Sequence, residues 1–122
     1  MTIRNILVLC GLAFALVFAA FAADLTGKWA AEFDTQIGAQ KYTYDLKADD
    51  GKLTGTAAGP QGSVAIREGK VDGDSVFFVE NMNYQGTDIR IEYSGKLVGD
   101  ELKLTRKVGE FATEELVAKR VK

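Results

Sequence analysis

The sequence predicts an all-β fold, an antiparallel up-and-down barrel of about eight strands that follows an N-terminal signal peptide. Three observations support this fold class. From residue 27 onward, apolar and polar side chains alternate with a period of two. Short segments containing Gly, Asp or Asn separate the alternating stretches, as hairpin turns do. The connections are too short for long crossovers, which favours the barrel over a β-sandwich, the alternative architecture.

Residues 1–22 have the pattern of a secretory signal peptide. Arg4 is followed by an unbroken apolar run from Ile6, and the run ends in small residues around Ala20–Ala22. A membrane-anchoring helix is the alternative, because the 18 residues from Ile6 to Ala23 reach the lower limit of a membrane span. Cleavage after residue 22 would leave a barrel domain of residues 23–122, with 100 residues, no cysteine and a formal charge of −3. We therefore expect an exported protein, periplasmic or extracellular, without disulfides and without stable membrane insertion after cleavage.

The predicted strands lie between residues 27 and 121. In Asp88–Leu97 the odd-numbered positions face the core and the even-numbered ones face water, because successive side chains of a strand point to opposite faces. A repeat at an offset of 26 residues, Gly69–Phe78 against Gly95–Leu104, predicts two similar hairpins with Gly-Asp turns. The predicted strands are Gly27–Asp34, Gln40–Ala48, Lys52–Ala58, Gly62–Val71, Ser75–Asn81, Thr87–Val98, Glu101–Val108 and Thr113–Val121.

The last segment, Thr113–Val121, suits a helix about as well as a strand. We predict a strand, because seven strands would leave two open sheet edges and an eighth can close the barrel. Tight Asp- and Gly-containing turns would then lie at one end of the barrel. Longer loops, Met82–Gly86 among them, would lie at the other end, and we expect any site at this open end.

The first predicted strand begins Gly27-Lys28-Trp29, which resembles the Gly-x-Trp signature of lipocalins and related calycin barrels. The whole pattern is also similar to that of small secreted bacterial proteins with a lipocalin-like barrel. In lipocalins the tryptophan seals one end of the barrel against an arginine of the last strand. The resemblance implies that Trp29 and Arg120 form this closing pair, a cation–π contact worth about 1 kcal/mol. The chain is short for a lipocalin and has no second family motif.

Several polar side chains are candidate ligand contacts at the open end. Glu80 and Arg106 occupy equivalent positions of the repeat, where they either line a pocket mouth or form an internal salt bridge at the barrel rim. Tyr42, Tyr44 and Tyr93 face inward, where aromatic side chains usually belong to the core. Large inward side chains predict a mostly filled lumen with a shallow pocket. The candidate ligand contacts are Tyr42, Glu80, Tyr84, Arg106 and Glu114.

One predicted strand, Ser75–Asn81, is apolar on both faces. If the repeat places Val76 and Phe78 inward, Phe77 and Val79 point outward. We expect either a contact between copies of the chain through Phe77 and Val79 or a sheet edge covered by residues 23–26.

The composition excludes several function classes. The chain has no histidine, which excludes Ser-His-Asp catalysis, Cys-His catalysis and ordinary zinc sites. Its positive and negative charges are nearly balanced, so the composition gives no indication of a basic surface that would bind nucleic acid. The Asp-rich turns fit hairpin chemistry better than calcium binding, so we expect no metal and no cofactor.

These exclusions favour a secreted, non-enzymatic binding barrel. Its partner would be a small or extended ligand, or an envelope protein, bound at the open end. The alternatives are a structural or interaction module of the cell envelope and a glycoside hydrolase that uses Glu80 and Glu114.

Overall fold

The computed structural model describes residues 25–36, 38–60 and 62–122. The predicted signal peptide and its cleavage site lie outside these residues. Within the described ranges, no helix is long and apolar enough to cross a membrane. The strands of the described residues are β1 (Gly27–Thr35), β2 (Gly38–Asp49), β3 (Lys52–Gly59), β4 (Gly62–Ala65), β5 (Arg67–Asp72), β6 (Ser75–Tyr84), β7 (Thr87–Val98), β8 (Glu101–Val108) and β9 (Ala112–Arg120).

These strands form one closed antiparallel barrel, which confirms the predicted fold class. Their order is β2-β1-β9-β8-β7-β6-β5-β3-β4, and an additional pairing of β2 with β3 closes the sheet. Strands β4 and β5 are two halves of one long strand on either side of Ile66. If they are counted as one strand, the described barrel is eight-stranded. The ambiguous last segment is strand β9, which pairs with both β8 and β1.

The predicted strand Gly62–Val71 is wrong in one respect, because the chain bulges within it. The pairing of β5 with β6 shifts by one residue inside β5, and Glu68 has a φ of 55°. A bulge adds one unpaired residue and reverses the alternation of faces beyond it. Ile66 on one side and Val71 on the other therefore both pack against the core, although one has an even number and the other an odd number.

The predicted loop Met82–Gly86 is also wrong. Strand β6 continues to Tyr84, and the chain reverses in two residues, Gln85 and Gly86, with φ values of 52° and 83°. Two consecutive positive φ angles are typical of a type I′ turn, whose twist matches that of the flanking strands. Met82 and Tyr84 therefore belong to the barrel wall rather than to a loop.

The turns of the 26-residue repeat are equivalent in the structure. Gly73 and Gly99 each occupy the first position of a two-residue turn, with φ values of 61° and 62°. A positive φ at that position is easily adopted by glycine and strained for most other residues. Both turns lie at the end of the barrel that also holds Trp29.

Large side chains fill the middle of the barrel. Phe78 stacks on Tyr93 with ring centroids 4.5 Å apart, and Tyr44 contacts both rings edge-on. Val79, predicted to point outward, is fully buried, and Phe77 is half-buried. Self-association through these two residues stays a prediction. Because the middle is filled, space for a ligand inside the described barrel remains near its ends.

The first and last strands of the described residues, β1 and β9, pair with each other, and we call this joint the β1–β9 seam. In the described residues its ladder has two pairs, Trp29 with Arg120 and Ala30 with Lys119, whereas the ladder between β8 and β9 has eight. The Arg120 guanidinium carbon lies 4.4 Å from the centroid of the Trp29 ring system. Trp29 Nε1 donates a hydrogen bond to the Leu25 carbonyl at 3.0 Å. This end of the barrel is thus capped by an aromatic ring under a cation.

Candidate ligand-binding site

Arg106 is the centre of a buried polar network near the opposite end of the barrel. It extends inward from β8 and is 4 % exposed. Its Nη1 donates to Glu114 Oε1 at 2.5 Å, and its Nη2 donates to Tyr42 Oη at 3.1 Å. The β8–β9 register places Glu114 directly opposite Arg106, which explains the short ion pair. The guanidinium carbon also lies 5.1 Å from the centroid of the Tyr42 ring.

Glu80 joins the network through tyrosine hydroxyls. It is 4 % exposed, and its two carboxylate oxygens accept hydrogen bonds from Tyr93 Oη at 2.7 Å and from Tyr42 Oη at 3.2 Å. Tyr93 Oη in turn accepts from Arg106 Nε at 2.9 Å and from Tyr44 Oη at 3.1 Å. No buried side-chain nitrogen or oxygen of the described residues lacks a partner. This satisfaction is expected, because an unpaired buried polar group costs about 1–3 kcal/mol.

Burial controls the protonation of the network. It raises the pKa of Glu80, while the hydrogen bond from Tyr93 and the charge of Arg106 oppose that rise. Burial and the neighbouring Glu80 raise the pKa of Tyr42 to about 12. Burial also raises the pKa values of Tyr44 and Tyr93 above their ordinary 10. The phenols therefore remain protonated donors at neutral pH.

The raised pKa of Glu80 predicts a specific pH dependence of stability. The folded state binds this proton more tightly than the unfolded state, whose pKa is near the ordinary 4.5. The resulting stabilisation is fully present below pH 4.5 and is lost as the pH rises through the folded-state pKa. We expect Glu80→Gln to remove this loss, so that the variant becomes more stable relative to the wild type as the pH rises through that window.

Urea unfolding over a pH series measures the difference between wild type and Glu80→Gln. Glu115→Gln is a matched control, because Glu115 is exposed on the same barrel and the substitution removes the same charge. The control should follow the wild-type curve. A stability difference between Glu80→Gln and wild type that stays constant, or that changes in favour of the wild type with rising pH, would contradict the assignment.

A cavity of about 270 Å³ opens beside this network at the end of the barrel opposite Trp29. Arg106 and Glu114 are its charged lining residues among those described, and most of the others are apolar. Phe111 is 70 % exposed at its mouth, where its carbonyl accepts a hydrogen bond from Gln36 Nε2 at 3.3 Å. The lining residues are Thr35, Gln36, Gln40, Tyr42, Pro60, Met82, Tyr84, Ile89, Arg106, Val108, Phe111, Ala112 and Glu114.

The structure brings together most of the residues singled out from the sequence. Tyr42, Arg106 and Glu114 belong to both the network and the cavity lining. Glu80 belongs to the network but does not line the cavity, whereas Tyr84 lines the cavity wall without joining the network. A ligand in the cavity could therefore touch four of the five candidates. The fifth, Glu80, is linked to the cavity lining through Tyr42 and, by way of Tyr93, through Arg106.

Sequence reasoning missed the part that Tyr44 and Tyr93 play in the network. Both are fully buried, as predicted for core residues, but the Tyr93 hydroxyl also links Glu80 to Arg106, and the Tyr44 hydroxyl donates to that of Tyr93. A signal for Tyr93 was present in the sequence. When the β7–β8 register is counted outward from the two-residue turn at Gly99, Tyr93 falls opposite Arg106. Tyr44 lies on β2, which no short turn connects to β7, so its contact could not be found in this way.

Neither metal ligands nor similarity to known proteins assigns a function to this site. The described ranges hold no group of three or more His, Cys, Asp or Glu side chains that could bind a metal ion. Compared with protein-family models, with curated proteins and with solved structures, the chain gives no match. The resemblance to lipocalins therefore rests on the Gly27-Lys28-Trp29 start, the closed barrel and the contact of Trp29 with Arg120.

Proposed function

We propose that this protein is an exported, non-enzymatic barrel that binds a small ligand in the cavity at its open end. The single observation that supports this function best is the cavity itself, with mostly apolar walls and a buried, hydrogen-bonded ion pair in its lining. Binding sites for small molecules combine apolar walls with a few fixed polar groups that orient the ligand. Export is proposed from the sequence of residues 1–22.

The size of the cavity favours a small ligand or one end of a longer one. Its volume of about 270 Å³ lies just below the range of roughly 300–1,000 Å³ that is common for drug-sized ligands. Removing apolar surface from water would supply most of the affinity. Met82, Ile89 and Val108 provide such surface, because they line the cavity on three neighbouring strands.

The arrangement of carboxylates supports binding rather than glycoside hydrolysis. A hydrolase of the predicted kind needs both Glu80 and Glu114 beside the scissile bond. Glu114 lines the cavity, but Glu80 does not, and both of its oxygens accept hydrogen bonds from tyrosines. Arg106 holds Glu114 in an ion pair, which suits a fixed recognition group.

Filling the cavity should abolish binding without unfolding the barrel. We expect Ala112→Leu to weaken binding at least tenfold, because Ala112 lines the cavity and a leucine would occupy part of about 270 Å³. Neutral probes of suitable size are benzyl alcohol, cyclohexanol and indole. Amide chemical shifts in nuclear magnetic resonance titrations would measure the affinity of each probe and locate its site.

Thr113→Leu is the matched control for this experiment. Thr113 is the exposed neighbour of Ala112 on β9, so the substitution adds a leucine without entering the cavity. The control should bind as the wild type does, and circular dichroism should show both variants folded. The proposed function would be refuted if Ala112→Leu bound a probe as tightly as the wild type does, or if neither these neutral probes nor charged analogues of benzyl alcohol bound.

A further inference from the structure

We infer that the cavity selects its ligand by charge: it takes small amines, whose ammonium group pairs with Glu114, and rejects carboxylates of the same shape. This inference rests on the proposed function, and it adds the chemical class of the ligand. Three features of the site support it: the free hydrogen-bonding capacity of Glu114, the engagement of Arg106, and the balance of charge around both.

Glu114 offers an acceptor to the cavity. One of its carboxylate oxygens accepts the hydrogen bond from Arg106 Nη1, and the other has no partner among the described residues. That second oxygen is accessible, since no buried side-chain oxygen of these residues lacks a partner. Because Glu114 also lines the cavity, a ligand can reach its free oxygen there. An ionised carboxylate accepts hydrogen bonds and donates none, so the matching ligand group is a donor.

Arg106 would ordinarily be expected to attract an anionic ligand, but each of its three nitrogen atoms already donates a hydrogen bond. Nε donates to Tyr93, Nη1 to Glu114 and Nη2 to Tyr42. The side chain is 4 % exposed. A carboxylate ligand would have to compete with Glu114 for a guanidinium that already has an anionic partner, and would be brought close to a like charge.

The balance of charge in the site also disfavours an anion. One guanidinium, that of Arg106, is linked to the carboxyl groups of Glu80 and Glu114. If both carboxyl groups are ionised the sum is −1, and if Glu80 holds a proton the sum is zero. In neither state is the site positive. The net charge of the site therefore gives an anion no attraction in either state, and it attracts a cation when both carboxyl groups are ionised.

The cavity walls suit an amine with an apolar body. Tyr84 and Phe111 line the cavity and are not engaged by Arg106, which contacts the rings of Phe33, Tyr42 and Tyr93 instead. Aromatic rings near an ammonium group add cation–π attraction. A short aliphatic or aromatic group between these rings would fill the apolar volume while its ammonium group contacts Glu114.

Three probes of the same shape test this inference on the wild-type protein. Benzylamine, benzyl alcohol and benzoate share one ring and differ in charge, and calorimetric titration at neutral pH gives each dissociation constant. We expect benzylamine to bind about tenfold more tightly than benzyl alcohol, and benzoate to bind most weakly. Benzoate binding as tightly as benzylamine would overturn the charge selectivity and leave the proposed function standing. If none of the three binds, the proposed function fails as well.

Glu114→Gln tests which group is responsible for the selectivity. This variant keeps the shape of the side chain and removes its charge, so benzylamine should lose about tenfold in affinity while benzyl alcohol changes less than about threefold. Glu115→Gln removes the same charge from the exposed neighbouring position and should keep the preference for the amine. A preference for benzylamine that survives in Glu114→Gln would overturn the assignment. If Glu114→Gln does not fold, the wild-type series with the three probes decides alone.

Discussion

Replacing Arg106 with methionine should lower the free energy of unfolding by about 3–5 kcal/mol, the range found when one partner of a buried ion pair is removed. Methionine keeps an unbranched apolar stem but cannot donate a hydrogen bond. The substitution would leave the Glu114 carboxylate, whose side chain is 10 % exposed, without its cation and would remove the donors to Tyr42 and Tyr93. Urea unfolding at neutral pH measures the loss.

Arg90 supplies a matched control for this prediction. Like Arg106 it forms an ion pair with glutamate, here with both Glu68 and Glu92, but it lies on the outer face with its side chain 48 % exposed. Solvent screens such pairs, so Arg90→Met should cost far less stability than Arg106→Met. Equal losses for Arg106→Met and Arg90→Met would show that burial does not set the strength of the network.

Replacing Trp29 with alanine should cost about 3–5 kcal/mol, as large-to-small substitutions of buried aromatic residues do. Trp29 is fully buried, donates a hydrogen bond to the Leu25 carbonyl and lies beneath the Arg120 guanidinium. Alanine would leave a void at the capped end and remove the ring that Arg120 covers. Thermal and urea unfolding, followed by far-ultraviolet circular dichroism, measure the loss.

Phe111→Ala controls for the loss of an aromatic side chain. Phe111 is 70 % exposed, so its truncation should change the free energy of unfolding by no more than about 0.5 kcal/mol. Trp29→Phe should lie between the two, because it keeps an aromatic ring and loses the hydrogen bond to Leu25. If Trp29→Ala cost no more than Phe111→Ala, the described cap would not contribute to stability.

The sequence predicted strand positions best where a two-residue turn sets the register. Strands Thr87–Val98 and Glu101–Val108 have the predicted bounds, because the glycine at residue 99 marks the turn between them and apolar residues alternate on both sides. In such a hairpin the turn and the alternation specify the same pairing. The closure of the barrel by the last segment followed from the cost of open sheet edges.

The bulge at Glu68 could not be predicted in the same way. A positive φ is most common at Gly, Asn and Asp, and a glutamate in the midst of a strand pattern does not indicate one.

The candidate site could also be predicted only in part. Inward direction and nearness to one end of the barrel could be inferred for Tyr42, Arg106 and Glu114 from alternation. The cavity could not, because its volume depends on how all the surrounding side chains pack together.

The β1–β9 seam has a consequence for the order in which the barrel forms. Along the described sheet the other neighbouring strands are close in sequence, and most can form as local hairpins that close short loops. Among the described strands, only the seam pairs residues that are far apart in sequence, because it joins Trp29 to Arg120. Bringing Trp29 and Arg120 together costs the entropy of closing a loop that contains most of the barrel, and the two ladder pairs offset only part of this cost. The contact between the Trp29 ring and the Arg120 guanidinium therefore stabilises the most distant pairing of the described sheet, which we expect to form late in folding.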